Sequence, residues 1–309
     1  MAESTSCKIC LGALNGRAEY HPACLRGLFG TSVLPRLDLD LAGVSEMARD
    51  MAGKMSISGV QQKVLVSLTP DRKQIEFKPT GGRYILKPPI QGLPEIPANE
   101  HVTMRMASLV GIEIPPCGLF ALNDGNLAYV VSRFDRLDDG AKLQQEDFCQ
   151  AGGLQASEKY DKNAEFCVKL LRQYASEPII SILALFRLLL FSSCVGNCDL
   201  HLKNLSLLTT RDRIRRLSPA YDLLSTKLIL KNQTLALPIG GKPEIEKRND
   251  WVRFGEYCRI PHPAIDRVIS TQIAAGDDMI GMIHNSYLSA VFKEKYERIV
   301  RRSIAGLAR

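Results

Sequence analysis

Asp199 and Asn204 stand five residues apart in the run Gly196-Asn-Cys-Asp-Leu-His-Leu-Lys-Asn204, and a second aspartate follows in Pro219-Ala-Tyr-Asp222-Leu-Leu224. A carboxylate, an amide oxygen and a second carboxylate in this order suit transfer of a phosphoryl group to a hydroxyl. Such a reaction needs little covalent help from a protein. It needs positioning and neutralisation of charge. Asp199 would accept or orient the incoming hydroxyl. Asn204 and Asp222 would hold Mg²⁺ against the phosphates of ATP. The five-residue spacing alone is common. It becomes informative here because Gly196, Asn197 and His201 surround it, an apolar run precedes it and Tyr221-Asp222 follows it. His201 reads as a hydrogen-bonding member of the loop and not as the base. Asp199 could also be a capping residue after the apolar run.

Other residues could serve the same chemistry. Lys87 ends the apolar run Tyr84-Ile-Leu-Lys87. An ammonium in such a run is costly unless it meets a partner, and ATP phosphates or Glu100 would be partners. A lysine snorkelling from a strand end is the plainer alternative, and Glu100 near a helix start also suits the helix dipole. Ser56-Ile-Ser-Gly-Val-Gln-Gln-Lys63 has one glycine, too few for a glycine-rich fingerprint. Its place before the strands that lead to Lys87 suits a phosphate loop, in which Ser58 and Gly59 would let backbone N–H groups approach phosphate oxygens. Cys7-x2-Cys10-x10-His21-x2-Cys24 has the ligand types and pair spacing of a small structural zinc site. A reduced knob, in which Cys24, Leu25, Leu28 and Phe29 pack on a core, explains the same residues. Both readings stand at this point.

The elements that must position these groups follow from pattern. Residues 31–55 read as helical. Val64–Leu68 and Tyr84–Lys87 read as strands, the second stopped by Pro88-Pro89. Asn99 would cap a helix from Glu100 to Val110, closed by Gly111. Cys117–Leu122 and Leu127–Ser132 read as strands joined by the turn Asn123-Asp-Gly125. Ile179–Val195 contains Arg187 and several serines and leads straight into the loop at 196. It reads as the buried helix beneath that loop and not as a membrane span. From about 145 the chain reads as mainly helical, with a hairpin near 228–238. A strand-rich first part and a helical second part make an α+β, two-lobed arrangement. The expected divisions are residues 1–30, 31–135 and 136–309.

Composition fits this. The chain has 309 residues, 45% hydrophobic and 24% charged, as in ordinary globular proteins. A net charge of +7 is spread along the chain, which suits a solvated surface or contact with ATP, nucleic acid or an RNA-bound partner. Nine cysteines, an odd number, favour reduced thiols and a cytoplasmic location. The polar N-terminus predicts no secretory signal.

Taken in order, Ser56–Lys63, Ile85-Leu-Lys-Pro88, Asn99-Glu-His101, Arg133-Phe-Asp-Arg136, Gln145-Glu-Asp147, Gly196–Asn204 and Pro219–Ser225 resemble the motifs of the HipA family of serine/threonine kinase toxins. The resemblance covers about residues 25–309 and is nearest to the short HipT form. In that form the additional N-terminal subdomain of HipA proper is a separate small protein. The resemblance implies a protein-kinase-like fold with a strand-rich N-lobe and a helical C-lobe. It implies that Asp199 is the catalytic aspartate, that Asn204 and Asp222 bind Mg²⁺, and that His201 and Tyr221 line the nucleotide site. It implies a phosphate loop of Ser58, Gly59, Val60, Gln61, Gln62 and Lys63, with Lys87 reaching the phosphates. Ser132, Arg133 and Phe134 would be the hinge beside adenine. Family members often have an acidic residue where Ser132 stands, so a side-chain contact there is not expected, whereas backbone contacts are. Ser56 matches the serine that family members autophosphorylate, and Ser58 is a second candidate.

The implied activity is ATP-dependent phosphorylation of a protein, with an aminoacyl-tRNA synthetase as substrate. The implied partners are HipS-like and HipB-like antitoxins, with no membrane partner and no nucleic acid bound except through a DNA-binding antitoxin. Two readings compete. A kinase-fold small-molecule phosphotransferase would share the D-x-x-x-x-N loop but not Ser56–Lys63. A pseudokinase binding module would not need Lys87, Asp199, Asn204 and Asp222 together.

Overall fold

Short runs of branched and aromatic residues form the strands of the first part of the chain because such side chains fill a pleated, half-buried surface. The computed structural model describes residues 6–16, 18–52, 62–93 and 95–309. The chain divides into two units. One holds residues up to Arg105, Pro115–Phe134 and His284–Ser289, and the other holds Met106–Ile114, Asp135–Ile283 and Ala290–Arg309.

The first unit runs through α1 (Pro22–Phe29), α2 (Leu41–Ala52), β1 (Val64–Leu68), β2 (Ile75–Phe77), β3 (Tyr84–Lys87), the part of α3 (Ile96–Leu109) up to Arg105, β4 (Cys117–Ala121) and β5 (Leu127–Ser132). Its sheet has the order β2-β1-β3-β5-β4, with every neighbour antiparallel. The β4–β5 hairpin turns at Asn123-Asp-Gly125, where the Leu122 N–H donates to the Asn126 carbonyl at 2.8 Å. Val64, Val66, Tyr84, Leu86, Ala128 and Val130 form one core with Tyr20, Leu25, Leu28 and Phe29. Residues 18–30 therefore close over the same sheet. Phe29 packs edge-on against Phe120 and tilted against Tyr84.

Two expectations for this unit need correction, and one strand was not foreseen. Residues 31–40 are not helical, and α2 begins at Leu41. Pro35 interrupts the segment, and the Arg36 backbone instead bonds with Lys73 and Ile75. Asp40 caps α2, its Oδ1 accepting the Gly43 N–H at 2.7 Å. Asn99 is not a cap, since α3 starts at Ile96 and the Asn99 N–H already donates to the Glu95 carbonyl at 2.9 Å. Strand β2 has three residues between polar neighbours, so it left little pattern to read.

The second unit runs through β6 (Gln144–Asp147), α4 (Phe148–Ala151), α5 (Ala164–Tyr174), α6 (Pro178–Cys194), β7 (Ser206–Thr209), β8 (Arg215–Leu217), α7 (Arg248–Tyr257), α8 (His262–Ala274), α9 (Gly276–Asn285) and α10 (Ala290–Leu307). Helix α6 is its core, with Ile182, Leu185, Phe186, Leu188, Leu189, Leu190 and Phe191 all buried. Each such side chain contributes about 1.5–3 kcal/mol through removal from water. Phe186 meets Trp251 edge-on and stacks with Phe254. Only the start of the expected apolar helix is exposed, at Ile179 and Ile180. The small antiparallel sheet has the order β6-β7-β8. The expected hairpin at 228–238 is absent. That segment gives its backbone bonds away, with the Ala236 N–H donating to the Cys198 carbonyl at 3.0 Å and the Leu235 N–H to Pro243 at 2.9 Å. It braces the loop at 199 instead of forming a ladder.

Candidate active site

In the first unit, the antiparallel register places Lys87 opposite Tyr129, and the next element in the chain is α3. Lys87 Nζ donates to Glu100 Oε1 at 2.6 Å, and the two side chains are 8% and 1% exposed. The ammonium also lies 5.9 Å from the centre of the Tyr129 ring. A lysine this deep is tolerated because its partner is equally deep. The snorkelling alternative for Lys87 is thereby excluded. Beside Glu100, the fully buried His101 makes a hydrogen bond from Nε2 to the Ile9 carbonyl at 2.9 Å. Burial keeps the imidazole neutral, holding its pKa down to about 4.

Of the expected phosphate loop, Gln62 is exposed and Lys63 half-buried just ahead of β1. Ser56, Ser58, Gly59, Val60 and Gln61 lie outside the described residues. The hinge residues end β5. The Ser132 N–H donates to Pro116 and the Arg133 N–H to Arg83, both at 2.8 Å. Those two amides already donate to protein carbonyls.

In the second unit, α6 ends at Cys194 and the chain turns at Gly196. Gly196 has φ 70°, and a Cβ there would meet Lys227 at 3.1 Å and Ser225 at 3.2 Å. The loop is then held by its own backbone. The His201 N–H donates to the Asp199 carbonyl at 2.8 Å, and the Asn204 N–H to the His201 carbonyl at 2.9 Å. Asn204 Nδ2 donates to the Asp199 carbonyl at 3.0 Å, and Asn197 Oδ1 accepts the Asp199 N–H at 3.2 Å. The Cys198 N–H donates to Thr226 Oγ1 at 3.0 Å. The Asp199 main chain is thus fixed by the loop, and its carboxylate takes no part in these bonds. With Nδ2 occupied, the amide oxygen of Asn204 is its acceptor. With the Asp222 carboxylate it would offer hard oxygen donors of the kind that Mg²⁺ selects. Asp222 adopts φ 59°, a left-handed conformation that aspartate tolerates better than most residues.

Tyr160 left no motif in the sequence, and other residues brace the loop. Tyr160 OH donates to Asp199 Oδ1 at 2.6 Å, and its ring meets His201 edge-on. Burial first, then the bond to Asp199, pushes the phenol pKa above its ordinary range. Burial likewise keeps His201 below the usual histidine pKa, with Asp199 opposing it. Lys203 pairs with Asp147 at 2.9 Å, and Asp147 caps α4 through a capping box with Gln150. Tyr221 OH contacts Ser206 Oγ at 2.6 Å and donates to the Lys203 carbonyl at 2.9 Å. Gln145 Nε2 donates to the same Ser206 at 3.1 Å. The resemblance implies that Tyr221 lines the nucleotide site, and its hydroxyl braces the chain between Lys203 and Ser206. The Gln145-Glu-Asp147 motif supports the loop from β6.

At the N-terminus, Cys7, Cys10, His21 and Cys24 converge, one ligand atom from each lying within 4.8 Å of every other. Among the described residues, no helix is long and apolar enough to cross a membrane.

These features can be set beside known proteins. A family model described as the HipA-like C-terminal domain matches residues 55–280. Y4mE of Sinorhizobium fredii, which carries a kinase designation, is 30% identical over 241 residues, 74% of this chain and 57% of that protein. A kinase-designated protein of Haemophilus influenzae is 30% identical over 75% of each chain. The serine/threonine-protein kinase toxin HipA of Shewanella oneidensis is 27% identical over 57% of this chain and 44% of its own length. The chain thus spans about half the length of several of these relatives. Among solved structures, HipA of Shewanella oneidensis, in complex with HipB and operator DNA, aligns with a TM-score of 0.67 at 21% identity. It covers 81% of this chain and 64% of that one. The Helicobacter pylori proinflammatory kinase CtkA aligns at 0.56 and 14% identity, over 82% and 92%. The fold is therefore kinase-like, with the expected mixture of antiparallel sheet and helices. The match across residues 55–280 includes Lys87, Asp199, Asn204 and Asp222, and the chain belongs to the HipA-like C-terminal domain family.

Proposed function

We propose that this chain is an ATP-dependent protein serine/threonine kinase and the toxin of a bacterial toxin–antitoxin system. The observation that carries the reading is the loop around Asp199. Its main chain is fixed by Asn197, His201 and Asn204, while its carboxylate accepts only a phenol hydroxyl, that of Tyr160, among the hydrogen bonds of the described residues. A carboxylate held by its backbone and already binding a hydroxyl is suited to receive a serine or threonine hydroxyl. In this reading Asp199 orients that hydroxyl and takes its proton. Asn204 and Asp222 hold Mg²⁺, which would neutralise phosphate charge when bound. Lys87, kept in place by Glu100, adds positive charge for the phosphates of ATP. Gln62 and Lys63 belong to the phosphate loop with Ser58, Gly59, Val60 and Gln61. Phe134 and the carbonyls of the Ser132–Phe134 segment face adenine. Ser56 and Ser58 receive phosphate from the protein itself.

The substrate in this reading is an aminoacyl-tRNA synthetase, whose inactivation stalls translation and growth. Antitoxins of the HipS and HipB kinds restrain the toxin. Support for an antitoxin comes from the HipB and operator DNA that accompany the Shewanella HipA in its complex. The test is incubation with ATP labelled on its γ-phosphate and a panel of purified synthetases. Label on a serine or threonine of one synthetase is the expected result. Label on no protein in the panel or in a cell lysate, with turnover of a small hydroxylated acceptor instead, would replace this reading with a small-molecule phosphotransferase.

A further inference from the structure

We propose that Cys7, Cys10, His21 and Cys24 bind one structural Zn²⁺, and that this ion fixes the loop on which His101 and the start of α3 rest. Tetrahedral zinc with three sulfurs and one nitrogen, at about 2.3 and 2.0–2.1 Å, sets its ligands roughly 3.5–3.8 Å apart. His21 Nδ1 lies 3.3 Å from Cys10 Sγ and 3.8 Å from Cys24 Sγ. The other ring nitrogen, Nε2, is 2.9 Å from the Ala13 carbonyl. A carbonyl can only accept, so Nε2 carries the proton and Nδ1 presents its lone pair to the sulfurs. This is the outer-shell arrangement that orients a metal-bound histidine.

The backbone is shaped for the same purpose. The Leu11 N–H donates to the Cys7 carbonyl at 2.9 Å and the Cys7 N–H to the Gly12 carbonyl at 2.8 Å, closing a tight turn between the first two cysteines. Leu11 takes φ 62° to do so, a conformation that costs a leucine free energy. The turn aims the Gly12 N–H at Cys10 Sγ and the His21 N–H at Cys7 Sγ, each at 3.4 Å. Such N–H···S contacts favour thiolate over thiol. All four cysteine and histidine side chains are at least partly shielded from water, and the cysteines are not joined in disulfides. A packed apolar knob would need neither the left-handed leucine nor the imidazole turned toward sulfur.

The turn is docked on the sheet and on α3. The Lys8 carbonyl accepts the Leu119 N–H at 2.8 Å. Ile9 lies so close to β4 that a Cβ on Gly118 would be 2.7 Å from Ile9 Cγ1. The Ile9 carbonyl, between the two cysteines of the turn, is the partner of His101 Nε2 at 2.9 Å. His101 follows Glu100, the partner of Lys87. Metal in the turn therefore holds the carbonyl that anchors the first turns of α3. Binding of the ion is independent of the kinase reading, and its effect on α3 can be read without nucleotide.

The test uses the full chain, purified without chelator. Elemental analysis is expected to find about one zinc per chain, and the Cys10→Ser/Cys24→Ser double variant to contain none. Co²⁺ exchanged into the wild-type protein is expected to show thiolate-to-cobalt charge-transfer absorption. This keeps the metal claim testable if the double variant does not fold. Hydrogen exchange completes the test. Stripping zinc from the wild-type protein is expected to lower amide protection in residues 96–105 and leave residues 182–194 unchanged. Metal-free wild-type protein without the cobalt absorption, or zinc retained by the double variant, would overturn the site. Unchanged protection of 96–105 after zinc removal would overturn its role in holding α3.

Discussion

Lys87 and Glu100 meet where strand and helix bury them, whereas Asp199 sits half-exposed on a loop that its own backbone holds. Both arrangements hold a charge in a fixed place. In the first, the surrounding core fixes the side chains and the charges need each other. In the second, hydrogen bonds to main-chain atoms fix the loop and leave the carboxylate for an incoming group. Changes to the buried pair should therefore act on folding and nucleotide binding together. Changes to the Asp199 carboxylate should act on transfer alone. The comparison can be broken at either end.

The largest expected effect lies at Asp222. Asp222→Asn keeps a residue that tolerates φ 59° but removes the carboxylate. Transfer should fall to background, and ATP affinity should no longer respond to Mg²⁺ in calorimetry. An unchanged Mg²⁺ response would take Asp222 out of the metal role. Next comes Glu100→Ala, which removes the carboxylate that faces the buried Lys87 ammonium. A loss of about 3–5 kcal/mol in urea denaturation is expected. A loss below about 1 kcal/mol, the range of surface pairs, would show that the two regions do not differ as described.

Tyr160→Phe should do less. It removes only the hydroxyl that donates to Asp199 Oδ1. One hydrogen bond to a charged group is worth about 1.5–3 kcal/mol before competing contacts are counted. If that hydroxyl holds the place of the substrate's own, kcat/KM should rise several-fold with ATP affinity unchanged. A fall in kcat/KM would make Tyr160 a support of the loop instead. The smallest effect concerns His201. Its folded-state pKa lies below the free value of about 6.5. The unfolded chain therefore takes up this proton first as pH falls, and folding loses stability below about pH 6.5. His201→Gln should reduce the slope of that part of the urea-stability profile, leaving the share that comes from the buried His101, and an identical profile would show that His201 is not one of its sources.

The same contrast explains what could be read from sequence. The loop was legible because its parts are close in the chain and each residue type has one evident use. Gly196 permits the turn, Asn204 ties the amide to Asp199, and Asp222 adds the second carboxylate. Lys87 was legible because a charge in an apolar strand calls for a partner, and Glu100 was near enough in the chain to nominate. The Cys/His cluster was legible in ligand type, whereas the orientation of His21, on which the proposed zinc site rests, was not. Tyr160 was not legible, since nothing in its local sequence says that it reaches a residue 39 positions away. Segment 228–238, expected as a hairpin, forms no ladder. Its N–H groups instead go to Cys198 and Pro243. Strand β2 is too short to show a period.

The central claim is that Asp199 serves transfer and not nucleotide binding. It is tested most directly by Asp199→Asn, with single-turnover transfer from labelled ATP followed alongside calorimetric Mg·ATP affinity. The expected result is a rate lower by roughly 10²–10⁴ with affinity unchanged. Transfer at the wild-type rate, or a rate lost only because the variant no longer binds Mg·ATP, would contradict it.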